Sequence, residues 1–225
     1  MNIRVIFLFK VELYQLLLYN KYMIKKGDIY MATRGLYGFR RYGIDKTTYN
    51  HYDSYPENLG LTVLEFCAYT PIKEMEKIYD RIILVDENHI PTHDMIEQCM
   101  WANYFNTNVG KGCVTDWYCL LHETQGDLNR FKTELQHDKQ SYMIDNHEFI
   151  KDSISCEYAY IINLDTLKLE FWLGFQKIAT EGNRYGTQSD TFGYFPCKMV
   201  LEIPLENITN IDKYVSSMRE LADSY

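Results

Sequence analysis

Residues 31–60 read MATRGLYGFRRYGIDKTTYNHYDSYPENLG, and we expect this stretch to organise the fold. Two runs rich in aromatic and β-branched residues, Arg34–Arg41 and Lys46–Tyr55, flank the pair Gly43-Ile44. Glycine at the first central position suits a type II′ turn, whose twist matches that of paired strands. The sequence therefore predicts an N-terminal β-hairpin that turns at Gly43-Ile44 and continues through an aromatic loop into a helix.

The predicted turn places a polar cluster on one face of this hairpin. In its register Arg34 faces Asp53 and Leu36 faces His51, and alternation along the strands keeps these side chains on a common face. A histidine oriented by a carboxylate can serve as a general base, and a neighbouring arginine can hold an anionic group. We therefore predict His51, Asp53 and Arg34 as catalytic residues. The alternative is a structural Arg–Asp pair across the strands.

Four other residues are predicted to contact a ligand beside this cluster: Tyr49, Asn50, Tyr55 and Arg184. The first three belong to the hairpin and the loop that follows it. Arg184 belongs to residues 177–196, which contain three glycines and show no regular period. Loops of this length are usually functional or disordered. We expect Arg184 to cover a pocket, with a mobile loop as the alternative.

The remaining patterns predict an α+β fold. Leu167–Phe175 alternates apolar and polar residues, as in a half-buried strand, and the preceding Glu157–Asn163 is apolar on both faces. Helices are predicted over 62–69 and 73–81, after Thr92, from about 115 to 135 with a bend at Gly126, and near the C-terminus. We expect one domain over residues 31–225, with a mainly antiparallel sheet built from N- and C-terminal hairpins and covered by helices.

Charge and cysteine usage exclude several classes of protein. The chain has a formal net charge of −8, and an acidic body repels a phosphate backbone, so no nucleic-acid partner is expected. The six cysteines form no C-x-x-C pair and several have apolar neighbours, which is typical of reduced thiols in a cytoplasmic protein. We expect a soluble protein that does not bind membranes.

Residues 1–30 differ from the rest of the chain. Their apolar run is interrupted by Lys10 and Glu12, which makes it too short and too charged for a transmembrane helix. Residues 25–31, KKGDIYM, can be back-translated as an A-rich stretch with GGAG just upstream of a start codon. We therefore expect residues 1–30 to be a translated leader or a disordered extension, with Met31 as the natural start.

Two short motifs have weaker interpretations. Gly110-Lys111-Gly112 precedes a helix and could bind an anion, although a plain glycine turn is the default. His89, His93, Asp94 and Glu97 could in principle form a metal cluster, but the proline between the two histidines disfavours a regular helical spacing of them. We predict no metal site, and the sequence points to no particular cofactor.

Several stretches together resemble a family of phage and bacterial proteins to which no activity has been assigned. They are the start M-A-T-R-G…Y-N-H-x-D-S-Y-P-x-x-L-G, LHETQGDL (121–128), DNHEFIKDS (145–153) and CEYAYIINLDTLKLEFWLGF (156–175). The resemblance covers most of residues 31–225, with Ala32 where glycine is usual. It implies a phage-type source, and hence a host cytoplasm, rather than a mechanism.

Three functional classes follow from these patterns. The acidic, tyrosine-rich composition favours a binding protein whose partner is a host protein or a small anionic ligand. The alternative is a small hydrolase or transferase with a His/Asp/Arg pocket beside the first hairpin. A structural or virion-associated component is the third class.

Overall fold

Two β-hairpins lie side by side and form the central sheet of the protein. A computed structural model describes residues 33–206 and 208–224, so the expectation for residues 1–30 lies outside the described residues. The strands are β1 (Gly35–Arg41), β2 (Ile44–Asn50), β3 (Ile82–Val85), β4 (Ser141–Ile144), β5 (Tyr158–Asn163), β6 (Lys168–Leu173) and β7 (Lys198–Pro204).

The central sheet has the strand order β2-β1-β5-β6-β7. Its two hairpins, β1–β2 and β5–β6, are antiparallel, as is the pair β6–β7, while β1 and β5 pair in parallel. The predicted α+β class with a mainly antiparallel sheet is therefore confirmed. A second sheet pairs β3 with β4 in parallel, and β4 is absent from the sequence prediction.

Helices fill the connection between the hairpins and close the chain. They are α1 (Leu61–Tyr69), α2 (Ile72–Arg81), α3 (His93–Trp101), α4 (Trp117–Leu121), α5 (Asn129–Gln136) and α6 (Ile211–Asp223). Thr92 caps α3 as predicted, because its side chain accepts a hydrogen bond from the backbone N–H of Met95. The predicted break at Gly126 separates α4 from α5, with φ of 74° at this glycine. No helix in the described ranges is long and apolar enough to cross a membrane.

The turn of the first hairpin lies one position earlier than predicted. Tyr42 and Gly43 are its central residues, with φ of 55° and 71°. Positive φ at both positions defines a type I′ turn, not the predicted type II′ turn. The carboxylate of Asp165, in the turn between β5 and β6, accepts hydrogen bonds from the backbone N–H groups of Tyr42 and Gly43 at 2.7 and 2.9 Å. This contact from the second hairpin stabilises an unfavourable φ at a tyrosine.

Because the turn lies one position earlier, the observed strand register differs from the predicted one by two residues. Leu36 pairs with Tyr49 and not with His51. The paired ladder ends before Arg34 and Asp53, so their pairing stays a prediction. A shift of two residues leaves every side chain on its predicted face. Arg34 and His51 directly flank the last pair of the ladder, Gly35 with Asn50, and beyond it the backbone N–H of Ser54 donates to the carbonyl of Thr33 at 3.2 Å.

Both faces of the central sheet are buried. Side chains from α1, α2, α5 and α6 pack with Tyr37, Phe39 and Phe171 on the first face. On the second face, Leu36 and Trp172 pack among residues of the turn His147–Lys151 and of the segment 174–197. The prediction that β6 is half-buried is wrong, because this long segment covers its second face.

A buried carboxylate anchors the segment 174–197 to the second face. Glu170, which is 2% exposed, accepts hydrogen bonds from Asn163 Nδ2 at 2.6 Å and Trp172 Nε1 at 3.0 Å. Both terminal nitrogens of Arg184 also donate to it, at 2.8 and 2.6 Å. The sequence assigns Arg184 to ligand binding. In the structure its guanidinium instead pairs with the buried carboxylate of Glu170, which requires a positive partner.

We expect Glu170→Gln to lower the free energy of unfolding by about 3 kcal/mol, because the guanidinium of Arg184 loses its main charge partner in a buried setting. The control is Lys168→Ala on the same strand as Glu170, which removes the more exposed ion pair between Lys168 and Glu202 of β7. That variant should cost less than about 1 kcal/mol. Urea denaturation measures both values, and equal losses would show that Glu170 is not the anchor.

Candidate functional site

A cavity of about 230 Å³ lies beside β2 at the edge of the central sheet. We call it the β2 cavity. Its walls come from β1 and β2, from the chain between α4 and α5, and from β4 with the turn after it. The lining residues are Tyr37, Thr48, Tyr49, Glu87, Tyr118, Leu121, Thr124, Gln125, Arg130, Met143, Ile144, Asn146 and Phe149.

Tyr37 attaches one wall of the cavity to the sheet. Its hydroxyl donates to the carbonyl of Thr124 at 2.9 Å and accepts from the backbone N–H of Gly126 at 3.1 Å. Burial raises the pKa of Tyr37 to about 12, so the phenol keeps its proton. The turn that carries Gln125 is therefore fixed by a neutral hydrogen-bond donor.

Asn146 builds the opposite wall by pairing with the edge of β2. Its backbone N–H donates to the carbonyl of Thr47 at 3.1 Å. Its side-chain Oδ1 accepts from the backbone N–H of Tyr49 at 3.0 Å and from Thr48 Oγ1 at 3.3 Å. Such pairing also protects an otherwise open strand edge. The asparagine is thus positioned by the strand that forms the cavity.

The charge at the base of the cavity is balanced internally. Arg130 donates from Nη1 to Glu134 at 3.2 Å and from Nη2 to the carbonyl of Tyr142 at 3.0 Å. Glu134 also accepts a hydrogen bond from Ser141. Burial raises the pKa of Glu134, although the charge of Arg130 acts in the opposite direction. Arg130 is therefore held by Glu134 and the Tyr142 carbonyl, while its buried Nε has no hydrogen-bond partner among the described residues.

His51 adjoins the cavity through two of its lining residues. The Tyr49 hydroxyl is 2.8 Å from His51 Nδ1, and the backbone N–H of His51 donates to Gln125 Oε1 at 2.9 Å. Partial burial lowers the pKa of His51, and the positive charges of His122 and Arg34 lower it further. The charge of Arg34 thus lies within electrostatic range of His51, and the hydroxyl of Tyr49 orients the imidazole.

The other predicted site residues lie outside the β2 cavity. Asp53 and Asn50 border a separate, more open groove, and within the described ranges the Asp53 carboxylate is paired with neither His51 nor Arg34. Asp53 has φ of 50°, which turns the chain away from the strand direction. Tyr55 packs against Tyr158, with ring centroids 6.2 Å apart. Of the four predicted ligand contacts, Tyr49 lines the cavity.

Sequence reasoning missed most of the cavity lining. Tyr37 reads only as a strand residue, and Tyr118 only as part of a core helix. Five lining residues nevertheless come from two segments that are distinctive in the sequence, 121–128 and 145–153: Leu121, Thr124, Gln125, Asn146 and Phe149. The clusters of polar residues between predicted elements could have indicated these lining residues. Their convergence on β2, however, depends on the tertiary fold.

The glycine-rich loop before α4 already contains an anionic partner. The backbone N–H of Lys111 donates to Asp116 Oδ2 at 2.9 Å, and Lys111 Nζ lies 4.0 Å from Asp116 Oδ1. Asp116 thus occupies the position that an external anion would take. The loop functions as a structural turn.

One group of potential metal ligands lies on α3, away from the cavity. His93, Asp94 and Glu97 can bring one donor atom each within 4.8 Å of the others, and all three are exposed. Exposed acidic residues often group in this way on helices, and we assign no metal to them.

The chain was compared with models of known protein families, with curated proteins and with solved structures, and none of them matches it.

We expect Arg34→Gln to raise the pKa of His51, because the variant removes a positive charge that disfavours the imidazolium. An NMR titration of the imidazole signal, assigned with His51→Gln, measures the change. The control Arg219→Gln removes an arginine of α6 that pairs with Glu57 and Asp223. It should leave the His51 titration as it is in the wild type. Identical curves for wild type and Arg34→Gln would show that the two side chains do not interact.

Proposed function

We propose that this protein binds a small molecule in the β2 cavity and does not transform it chemically. The observation that carries the proposal is the composition of the cavity wall. Three tyrosines (Tyr37, Tyr49 and Tyr118) and two amides (Gln125 and Asn146) converge there from four parts of the chain. Ligand sites generally combine apolar and aromatic walls with a few fixed polar groups.

The size of the cavity favours a ligand with few atoms. Its volume of about 230 Å³ lies below the ~300–1,000 Å³ of sites for drug-sized molecules. Aromatic side chains such as Tyr49 and Phe149 offer flat surfaces against which a ring can pack. A small planar molecule with hydrogen-bonding groups fits these features better than the host protein that the composition also allows.

The tyrosines supply hydrogen bonds without supplying charge. Burial raises the pKa of Tyr49 to about 12 and raises that of Tyr118 as well. Both phenols therefore stay protonated at neutral pH. A wall of protonated phenols can donate hydrogen bonds to a ligand or accept hydrogen bonds from it. It cannot remove a proton from the ligand at neutral pH.

A small hydrolase or transferase is the second candidate, and His51 is the observation that favours it. The lowered pKa of His51 keeps the imidazole neutral, as a general base requires. Its Nδ1, however, is engaged by Tyr49 and not by a carboxylate. A carboxylate would stabilise the imidazolium formed on proton transfer, which a neutral phenol does far less well.

We expect Ile144→Trp to abolish ligand binding, because the larger side chain projects from a lining position into the cavity. The matched control is Ile83→Trp on the neighbouring strand β3, where the isoleucine is 37% exposed and outside the cavity. The small molecules released from each purified protein on denaturation can be compared by mass spectrometry. A compound should accompany wild type and Ile83→Trp but not Ile144→Trp. Equal amounts in all three would refute the proposed site.

The recovered compound also separates binding from catalysis. We expect it to remain chemically unchanged after prolonged incubation with an excess of wild-type protein, as chromatography and mass spectrometry would show. Conversion by wild type but not by His51→Gln would instead establish the enzymatic alternative. The substitution removes the titrating imidazole and preserves a polar side chain at this position.

A further inference from the structure

Arg34 differs from the other arginines of the described residues. Six of the seven make salt bridges with carboxylates, namely Arg40, Arg41, Arg81, Arg130, Arg184 and Arg219. Across residues 33–206 and 208–224, Arg34 has no carboxylate within salt-bridge distance of its guanidinium, although it is only partly exposed. In so acidic a chain, a half-buried arginine without an ion pair requires an explanation.

Arg34 lies in a row of three polar side chains across the end of the sheet. Arg34 and His51 are the residues that directly flank the last pair of the β1–β2 ladder, Gly35 with Asn50. On its other side, the backbone N–H of Glu157 donates to the carbonyl of Arg34 at 3.1 Å, which extends the parallel pairing with β5 by one residue. Alternation from Leu36, on the second face of the sheet, assigns all three residues to that face.

Glu157 does not neutralise Arg34 by direct contact. Its Oε1 accepts a hydrogen bond at 3.3 Å from the backbone N–H of Arg34 and not from the guanidinium. Burial raises the pKa of Glu157, while the hydrogen bond from the Arg34 N–H and the charge of Arg34 act in the opposite direction. The guanidinium therefore retains its donors for another oxyanion. Arginine suits this task because its planar fork can bind two oxygens at once.

This row is continuous with the β2 cavity through Tyr49. That tyrosine lines the cavity and contacts His51 with its hydroxyl. The charge of Arg34 partly offsets the burial effect on the pKa of Tyr49, so the guanidinium lies within electrostatic range of the phenol. Arg34 does not line the cavity itself, and Tyr49 together with His51 connects the cavity with the row that contains it.

We propose that Arg34 binds the anionic group of the ligand, so that the ligand is a small aromatic or planar molecule with one carboxylate or phosphate. This inference rests on the proposed function and specifies its ligand class. The net charge of −8 repels anions in general, whereas Arg34 favours an anion beside the β2 cavity. Partial burial strengthens the interaction, since charges are screened less there than in water.

Four probes test this assignment on the full chain: benzoate, phenyl phosphate and their neutral counterparts benzamide and benzyl alcohol. Isothermal titration calorimetry at constant ionic strength measures each affinity. We expect wild type to bind one of the two anions more tightly than its neutral counterpart. The preferred anion then distinguishes a carboxylate from a phosphate ligand. Failure of both anions to bind at millimolar concentration would overturn the inference.

Variants at Arg34 assign the effect to the guanidinium. Arg34→Gln should lower the affinity for the preferred anion by on the order of 10- to 100-fold, because it removes a charged hydrogen bond. It should leave the neutral counterpart unaffected. Arg34→Lys should be intermediate, because it keeps the charge without the fork. Arg219→Gln, which removes an arginine outside the site, should bind like wild type. Equal anion affinity in wild type and Arg34→Gln would refute the role of Arg34.

The outcomes also separate this inference from the proposed function. If Ile144→Trp abolishes binding of benzamide or benzyl alcohol while the anions bind no better than these, the cavity is a ligand site and the anion assignment is wrong. If Ile144→Trp leaves the binding of every probe unchanged, the cavity itself is not the site. Thermal unfolding of each variant verifies that the fold is intact.

Discussion

The parallel pairing of β1 with β5 is the constraint on which the rest of the structure depends. It brings Gly35 beside Tyr158, although the two are 123 positions apart, and joins two local hairpins into one sheet. The entropy of closing such a long connection grows only slowly with its length, and the helices within it bury the first face of the sheet. The same pairing carries Glu157 to Arg34, so the candidate anion site exists only where these distant segments meet.

Local patterns predicted most elements of the fold because their causes are local. Alternation identified β6, helical spacing and Pro71 separated α1 from α2, and the hydroxyl of Thr92 marked the start of α3. The hairpin register failed because its turn is fixed from outside. Asp165 binds the N–H groups of the turn, and nothing between residues 31 and 60 reveals that partner. The error of two residues kept the strand residues on their predicted faces but changed their partners, so that Leu36 meets Tyr49 in place of His51.

Part of the candidate site could be predicted from the sequence, and the rest depends on contacts between distant segments. The sequence identified Arg34, His51 and Tyr49 because all three belong to the hairpin. It assigned Arg184 to a pocket because a loop arginine has no visible partner in the sequence, whereas the fold supplies Glu170 on a strand assumed to be half-buried. The cavity depends on Asn146 extending the edge of β2 across about 100 residues of sequence, which no local pattern can show.

Protonation around the β2 cavity explains why recognition is the better account of this site. Acid–base catalysis needs groups whose pKa lies near the working pH. Burial raises the pKa of Tyr37 and Tyr49 to about 12, so these phenols are fixed neutral donors. His51 is neutral as well, and Tyr49 holds its Nδ1 where a catalytic carboxylate would be required. Such walls select a ligand by shape and hydrogen bonding. In the proposed site, the charge of an anionic ligand is matched by Arg34 beside the cavity.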